Sequence, residues 1–228
     1  MIHQSIIRIA VTALAITFCQ AQDDKNISLQ FIAFPAQANP EPIELLIGEN
    51  KTISIEIPSN ELSQEYKIVR PTSIAVGITK KNEKGEPVFQ VLANAQPLSS
   101  TKQIIILIRK GENNSDGFNM IPIDGELTNF SGGSYLFVNI SQLNIGGVIG
   151  DKNFSLKPGQ RNLIKPKATH EGGGCQVTLA YQKDESETKI KKFYDTRWSV
   201  NDAFRTLVFF YQDPETKKLG VAPIVNFL

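Results

Sequence analysis

Along most of the chain, apolar and polar residues alternate in short runs closed by Gly, Pro, Asn or Asp, and helix-period stretches are scarce. The run TISIEIP places Ile53, Ile55 and Ile57 on one face of a strand, with Ser54 and Glu56 on the other. NFSLKPG repeats this with Phe154 and Leu156, after which Pro158-Gly159 supplies a turn that closes a hairpin. Two runs, QIIILIRK from Gln103 and TLVFFYQ from Thr206, are apolar on both faces. A strand of that kind needs cover on both sides, so each predicts a central strand of a packed sheet. The pattern as a whole predicts an all-β chain of antiparallel hairpins.

Comparing the chain with itself adds organisation. FIAFPAQANPEPIELLIGENKTISIEIP, from Phe31, has the same order of features as YLFVNISQLNIGGVIGDKNFSLKPG, from Tyr135. Each has an aromatic apolar strand, a polar turn, a short segment ending in Ile-Gly, an alternating strand and a proline. Further on, QPLSSTKQIIILIRKGENNSDGFNMIPI parallels WSVNDAFRTLVFFYQDPETKKLGVAPIV. The offset is 102 from Ile47 to Ile149 and again 102 from Ile106 to Val208. This predicts two tandem immunoglobulin-like antiparallel β-sandwich modules, residues 25–127 and 128–228, with GELTNFSGG as the join and an internal duplication as the origin. The alternative is one larger β-sandwich, because strand and turn spacings of this sort recur in any β protein. Different strand orders in the two halves would end the duplication.

The first residues change the picture of where such a chain goes. MIHQSIIRIAVTALAITFCQAQDD has one early cation, Arg8, an apolar run from Ile9 to Phe18 and a small-residue end at Ala21. That layout predicts a signal peptide over residues 1–21 and an exported protein, periplasmic, at the outer surface or secreted. An apolar run of about ten residues falls short of the roughly 20 that span a bilayer, so no transmembrane segment is expected after cleavage. Cys19 stands where a lipoprotein signal has its modified cysteine, but Phe18 is bulky where that signal has Gly, Ala or Ser, which favours the soluble form. Cleavage removes only Arg8 among the Lys, Arg, Asp and Glu residues, leaving 23 cations against 23 anions. A net charge near zero argues against a nucleic-acid partner and against electrostatic membrane binding. One cysteine, Cys175, then remains, so stability is expected from burial of apolar surface and not from a disulfide.

Candidate chemistry is sparse. HEGGGC, His170 to Cys175, sets a histidine, a carboxylate and a thiol beside three glycines. A cysteine nucleophile needs a base within hydrogen-bond reach, and a soft metal would take both nitrogen and sulfur. A zinc or copper centre needs more such ligands than one histidine and one cysteine can supply. The favoured reading is a glycine hairpin tip followed by a core cysteine that opens the strand CQVTLAY. No cofactor or metal is expected. GENNSDG and YQDPETKKLG lack the acidic spacing of a calcium loop and sit where hairpin turns belong. KDESETKIKK mixes charge signs, as a solvated connection does. Trp198, with Tyr194 and Arg197, is the candidate ligand contact, a stacking platform for a sugar; alternation sends some of these side chains to the core instead. No two carboxylates are marked out as a glycosidase pair, and no phosphate-binding glycine motif follows a strand and opens a helix.

The second half, GGSYLFVNISQLNIGGVIGDKNFSLKPGQRNLI with FYDTRWSV and TLVFFYQDPETKKLGVAPI, resembles uncharacterised secreted β-sandwich proteins common in Verrucomicrobia and related bacteria. The likeness runs from Ser134 to Val225, and its signatures are structural. It implies an immunoglobulin-like or related sandwich in an exported bacterial protein, and it carries over no functional residue. The first half departs from the pattern, with IPSN where the second has KPGQ. The expectation is a non-catalytic envelope or extracellular component that recognises a protein or glycan through loops or sheet edges. A carbohydrate-binding accessory module is the alternative, with a hydrolase third.

Overall fold

The computed structural model describes residues 25–36, 42–49, 51–110, 117–170, 172–183, 190–213 and 216–228. The expected signal peptide, the loop 111–116 and residues 184–189 of the mixed-charge connection lie outside the described residues. Among the described residues there is no helix; the chain is all-β and divides into two compact units, Met1–Glu126 and Leu127–Leu228.

Unit 1 contains β1 (Asn26–Phe34), β2 (Ile43–Leu46), β3 (Thr52–Ile55), β4 (Tyr66–Val69), β5 (Ile74–Lys81), β6 (Pro87–Ala95), β7 (Lys102–Arg109) and β8 (Phe118–Asp124). They form two four-stranded sheets, in the orders β4-β1-β7-β8 and β3-β2-β5-β6. Strands β1 and β7 run parallel, and every other pairing is antiparallel. The core draws on both sheets: Leu29 and Phe31 of β1 and Ile105 and Leu107 of β7 meet Leu45, Ile55, Ile74 and Val76. Each such side chain, fully buried, contributes about 1.5–3 kcal/mol.

Unit 2 contains β9 (Tyr135–Asn139), β10 (Asn144–Ile149), β11 (Lys152–Leu156), β12 (Arg161–Ile164), β13 (Gly174–Gln182), β14 (Lys191–Ser199), β15 (Phe204–Gln212) and β16 (Leu219–Phe227). Its sheets have the orders β12-β9-β15-β16 and β11-β10-β13-β14, which is unit 1 with eight added to every strand number. The parallel pair recurs as β9 and β15. A register shift recurs in the same hairpin, at Val76/Gly77 in one unit and Leu179/Ala180 in the other.

Cross-strand rows fix the equivalences. Phe31, Ile105 and Pro122 lie in one row of unit 1, and Phe137, Val208 and Pro223 lie in the matching row of unit 2. Leu45 pairs with Ile53 as Gly147 pairs with Phe154, which keeps Ile47 and Ile149 in step at 102. The other sequence anchor is one residue out. Ile106 lies on the face of β7 away from the core, whereas Val208 lies in the core; the core equivalent of Val208 is Ile105. Spacing between equivalents drifts along the chain, from Leu29 and Tyr135 to Pro122 and Pro223, as connections change length. A one-residue slip reverses the face of every side chain, so a fixed offset cannot hold across all the strands.

The strands expected to be central are central. Ile104 to Leu107 of β7 and Leu207 to Phe210 of β15 are at most 1% exposed on both faces. One expectation is corrected: the turn of LKPG does not close a hairpin, because β11 and β12 belong to different sheets. Gln160 donates its N–H to the Lys157 carbonyl at 3.0 Å, and Gly159 has φ +77°. Proline at the second position and a left-handed glycine at the third make a type II turn, which here carries the chain from one sheet to the other.

Candidate functional site

The β14 strand carries the residues singled out for ligand contact. Alternation along it places Tyr194 and Trp198 on the inner face, packed against the unit 2 core, and leaves Arg197 exposed on the opposite face. The Trp198 indole stacks on Tyr135 at 5.2 Å between ring centroids and meets Phe137 at 6.1 Å. Its Nε1 donates to the Tyr194 hydroxyl at 3.2 Å. Phe137 stacks in turn on Phe154 at 4.6 Å and on Phe210 at 5.5 Å. The column fills unit 2 with rings, each pair adding about 0.5–1.5 kcal/mol beyond its buried area. Burial pushes the Tyr135 hydroxyl well above its usual range, and that hydroxyl donates to the Ser199 carbonyl. Arg197 stands in register with Gln176 on a polar outer face, where Asp195 accepts hydrogen bonds from Lys192 and Gln176; the Lys192 ammonium holds its carboxyl below the usual range. Trp198, Tyr194 and Arg197 therefore do not form one surface.

In the HEGGGC segment His170 and Gly174 form an antiparallel bridge. Gly172 and Gly173 have φ of +82° and +79°, and both Thr169 and His170 donate their N–H to the Gly174 carbonyl. His170 is exposed, whereas Cys175 is 0% exposed and faces the core. Burial raises the thiol, which keeps it in the unreactive protonated form. Glu171 lies outside the described residues. Among the described residues, no group of three His, Cys, Asp or Glu side chains is arranged to hold a metal ion. In YQDPETKKLG the Asp213 carboxylate is used locally, accepting from the Thr216 N–H at 2.6 Å and from its hydroxyl at 2.9 Å.

Two features escaped the sequence. The first is Asn139, 0% exposed at the end of β9. Its Nδ2 donates to the carbonyls of Leu143 and Leu156 at 2.8 and 3.1 Å, and its Oδ1 accepts from the Ser141 N–H and hydroxyl at 3.0 and 2.7 Å. This amide ties together the β9 end, the turn before β10 and the β11 end. A lone polar residue closing the aromatic run YLFVN was the signal for it.

The second is a cleft of about 650 Å³ in unit 1, beside the connection from β3 to β4. Ile43, Ile55, Ile57 and Leu62 supply apolar walls, and Glu56 and Glu61 are exposed among its lining residues. The walls are held in place. Tyr66 accepts the Glu56 N–H at 2.8 Å, and the Ser63 hydroxyl accepts the Phe31 N–H at 2.8 Å. Ala33 donates to the Pro58 carbonyl, and Ser63 donates its N–H to the Phe31 carbonyl, both at 2.9 Å. Unit 2 has a smaller notch beside its corresponding β11–β12 connection, of about 370 Å³, lined from β11, the turn and β12. No protein-family model and no curated protein sequence matches the chain.

Proposed function

We propose that the protein is an exported, non-catalytic component of the cell envelope or extracellular space, built from two immunoglobulin-like modules, which acts by binding at its surface. The carrying observation is that one eight-strand scaffold occurs twice among the described residues, while the cleft beside the β3–β4 connection of unit 1 is larger and more apolar-walled than the notch beside the β11–β12 connection of unit 2. Repetition supplies the framework, and the departure between repeats is where a binding role concentrates. "Immunoglobulin-like" is meant in the architectural sense of two packed sheets, since four strands in each sheet and a central parallel pair differ from the ABED and CFG sheets of that fold. A non-catalytic role fits the separation of exposed His170 from buried Cys175. The glycan-binding alternative is less favoured, because one face of the partly buried Trp198 is taken up by stacking on Tyr135 against the core.

Export accords with the layout of residues 1–21 and with the resemblance of Ser134 to Val225 to secreted bacterial sandwiches. Expression of the full chain in a bacterial host, fractionation and intact-mass measurement test it. The expected product lies outside the cytoplasm and begins at Gln22. Cytoplasmic protein still beginning at Met1 would overturn the reading, and a lipid adduct on Cys19 would replace the soluble form with an anchored one.

A further inference from the structure

We infer that the β3–β4 cleft of unit 1 binds an organic cation, a protonated amine carried on an apolar body. The inference rests on the surface-binding reading and gives it a ligand class. Three observations converge.

The first is shape. A concave space of about 650 Å³ with apolar walls falls within the range of small-ligand sites, and such sites are largely preformed. The connection that frames it, Glu56 to Glu65, is pinned to β1 through Ala33, Phe31 and Gln30; the Gln30 amide donates to the Ser63 carbonyl at 3.0 Å. The walls therefore need little ordering when a ligand arrives.

The second is charge. The lining carries two carboxylates, Glu56 and Glu61, and one guanidinium, Arg109. Arg109 already donates its Nε–H to the Pro35 carbonyl at 3.0 Å, and its guanidinium lies 5.2 Å from the centre of the Phe118 ring. The Glu56 main chain is fixed by its bond to Tyr66, which roots this exposed side chain at the cleft. An apolar body seated on Ile55, Ile57 and Leu62 would bring an attached ammonium to these acids. The low-dielectric wall on one side strengthens the attraction relative to open water.

The third is the comparison inside the molecule. The same topology makes a notch in unit 2, but there the connection is only Lys157 to Gln160. Its lining has Arg161 as its only charged side chain and no acid. Unit 1 has ten residues where unit 2 has four, and the added length brings both apolar wall and negative charge. A mere by-product of the fold would be alike in both units.

Hexylammonium, hexanol and hexanoate separate the contributions when titrated into the purified full chain and followed by methyl NMR. Hexylammonium is expected to shift Ile55, Ile57 and Leu62 but not Leu156, binding about tenfold more tightly than hexanol, with hexanoate weakest. The Glu56→Gln, Glu61→Gln double variant is expected to bring hexylammonium down to the affinity of hexanol, while Glu83→Gln, in the β5–β6 turn and not among the lining residues, changes nothing. Unaltered backbone spectra of each variant establish that it is folded. Equal binding of cation and alcohol, no loss in the double variant, or shifts at Leu156 as large as those at Ile55 would each overturn the inference. A free amine and a lysine side chain present the same group, and acetyl-Ile-Lys-Ile-amide distinguishes them. Tighter binding of the peptide assigns the site to a lysine-bearing segment, weaker binding assigns it to a small amine, and either keeps the cation. Failure of all these probes leaves the export test untouched, so the two readings fall separately.

Discussion

Asn139 shows how one amide can hold a corner. Three of its side chain's four hydrogen bonds are to the turn before β10 and the fourth reaches the end of β11, so Asn139→Ala leaves the Leu143 and Leu156 carbonyls without that donor. The expected loss is about 2–4 kcal/mol, measured as a shift of the urea midpoint with unchanged slope. Glu126 works at the end of unit 1. Its carboxylate accepts from the Thr101 hydroxyl and from the Thr101 and Lys102 N–H groups, the hydroxyl contributing most, and these bonds hold its pKa below the usual carboxylate value. A lowered folded-state pKa means that this stabilisation is complete above the unfolded value, about 4.3, and is lost as pH falls through the folded one. NMR titration of the Glu126 side chain should show the depressed midpoint, and Glu126→Gln should flatten the acid limb of the stability profile. At this scale the sequence was legible where alternation decides, as for Phe154, Leu156, Cys175 and the inward Trp198. It marked Asn139 as a lone polar residue but was mute on the partners of Asn139 and Glu126, which are backbone groups and hydroxyls placed by the turn and by distant segments.

At the scale of elements, the prolines of IPI and API are informative. Pro122 and Pro223 occupy matching rows on β8 and β16, each the edge strand of its sheet. A residue without an N–H fits a ladder only where its nitrogen faces away from the paired strand, so both edges lack a donor at the same place. That blunts edge-to-edge pairing between molecules. Replacing both prolines with Thr is expected to raise self-association, seen as growth of the mean mass in light scattering at increasing concentration, while the native chain stays constant. The type II turn of KPGQ was readable from Pro158-Gly159, yet its use as a crossing between sheets was not. Turn chemistry is local, whereas sheet membership depends on which distant strand β12 finds, namely β9.

For the whole molecule, the chain reads as one plan written twice, and the sequence disclosed the plan better than the register. The β1–β7 and β9–β15 pairs join segments 74 and 71 residues apart, as Ser28 with Lys102 and Tyr135 with Thr206 show. Non-local pairing of this kind makes folding slow, and refolding followed by the fluorescence of Trp198, the only tryptophan, is expected in about the millisecond-to-second range. A sub-millisecond rise to the native signal would contradict this. The parallel pair also sets an order of emergence. In a chain delivered N-terminus first, the first strand of each unit waits beside an open flank until the seventh arrives, so each sandwich closes only when most of its length is through. For a protein that crosses a membrane unfolded, the topology would itself act as a timer, keeping each unit threadable until it has passed.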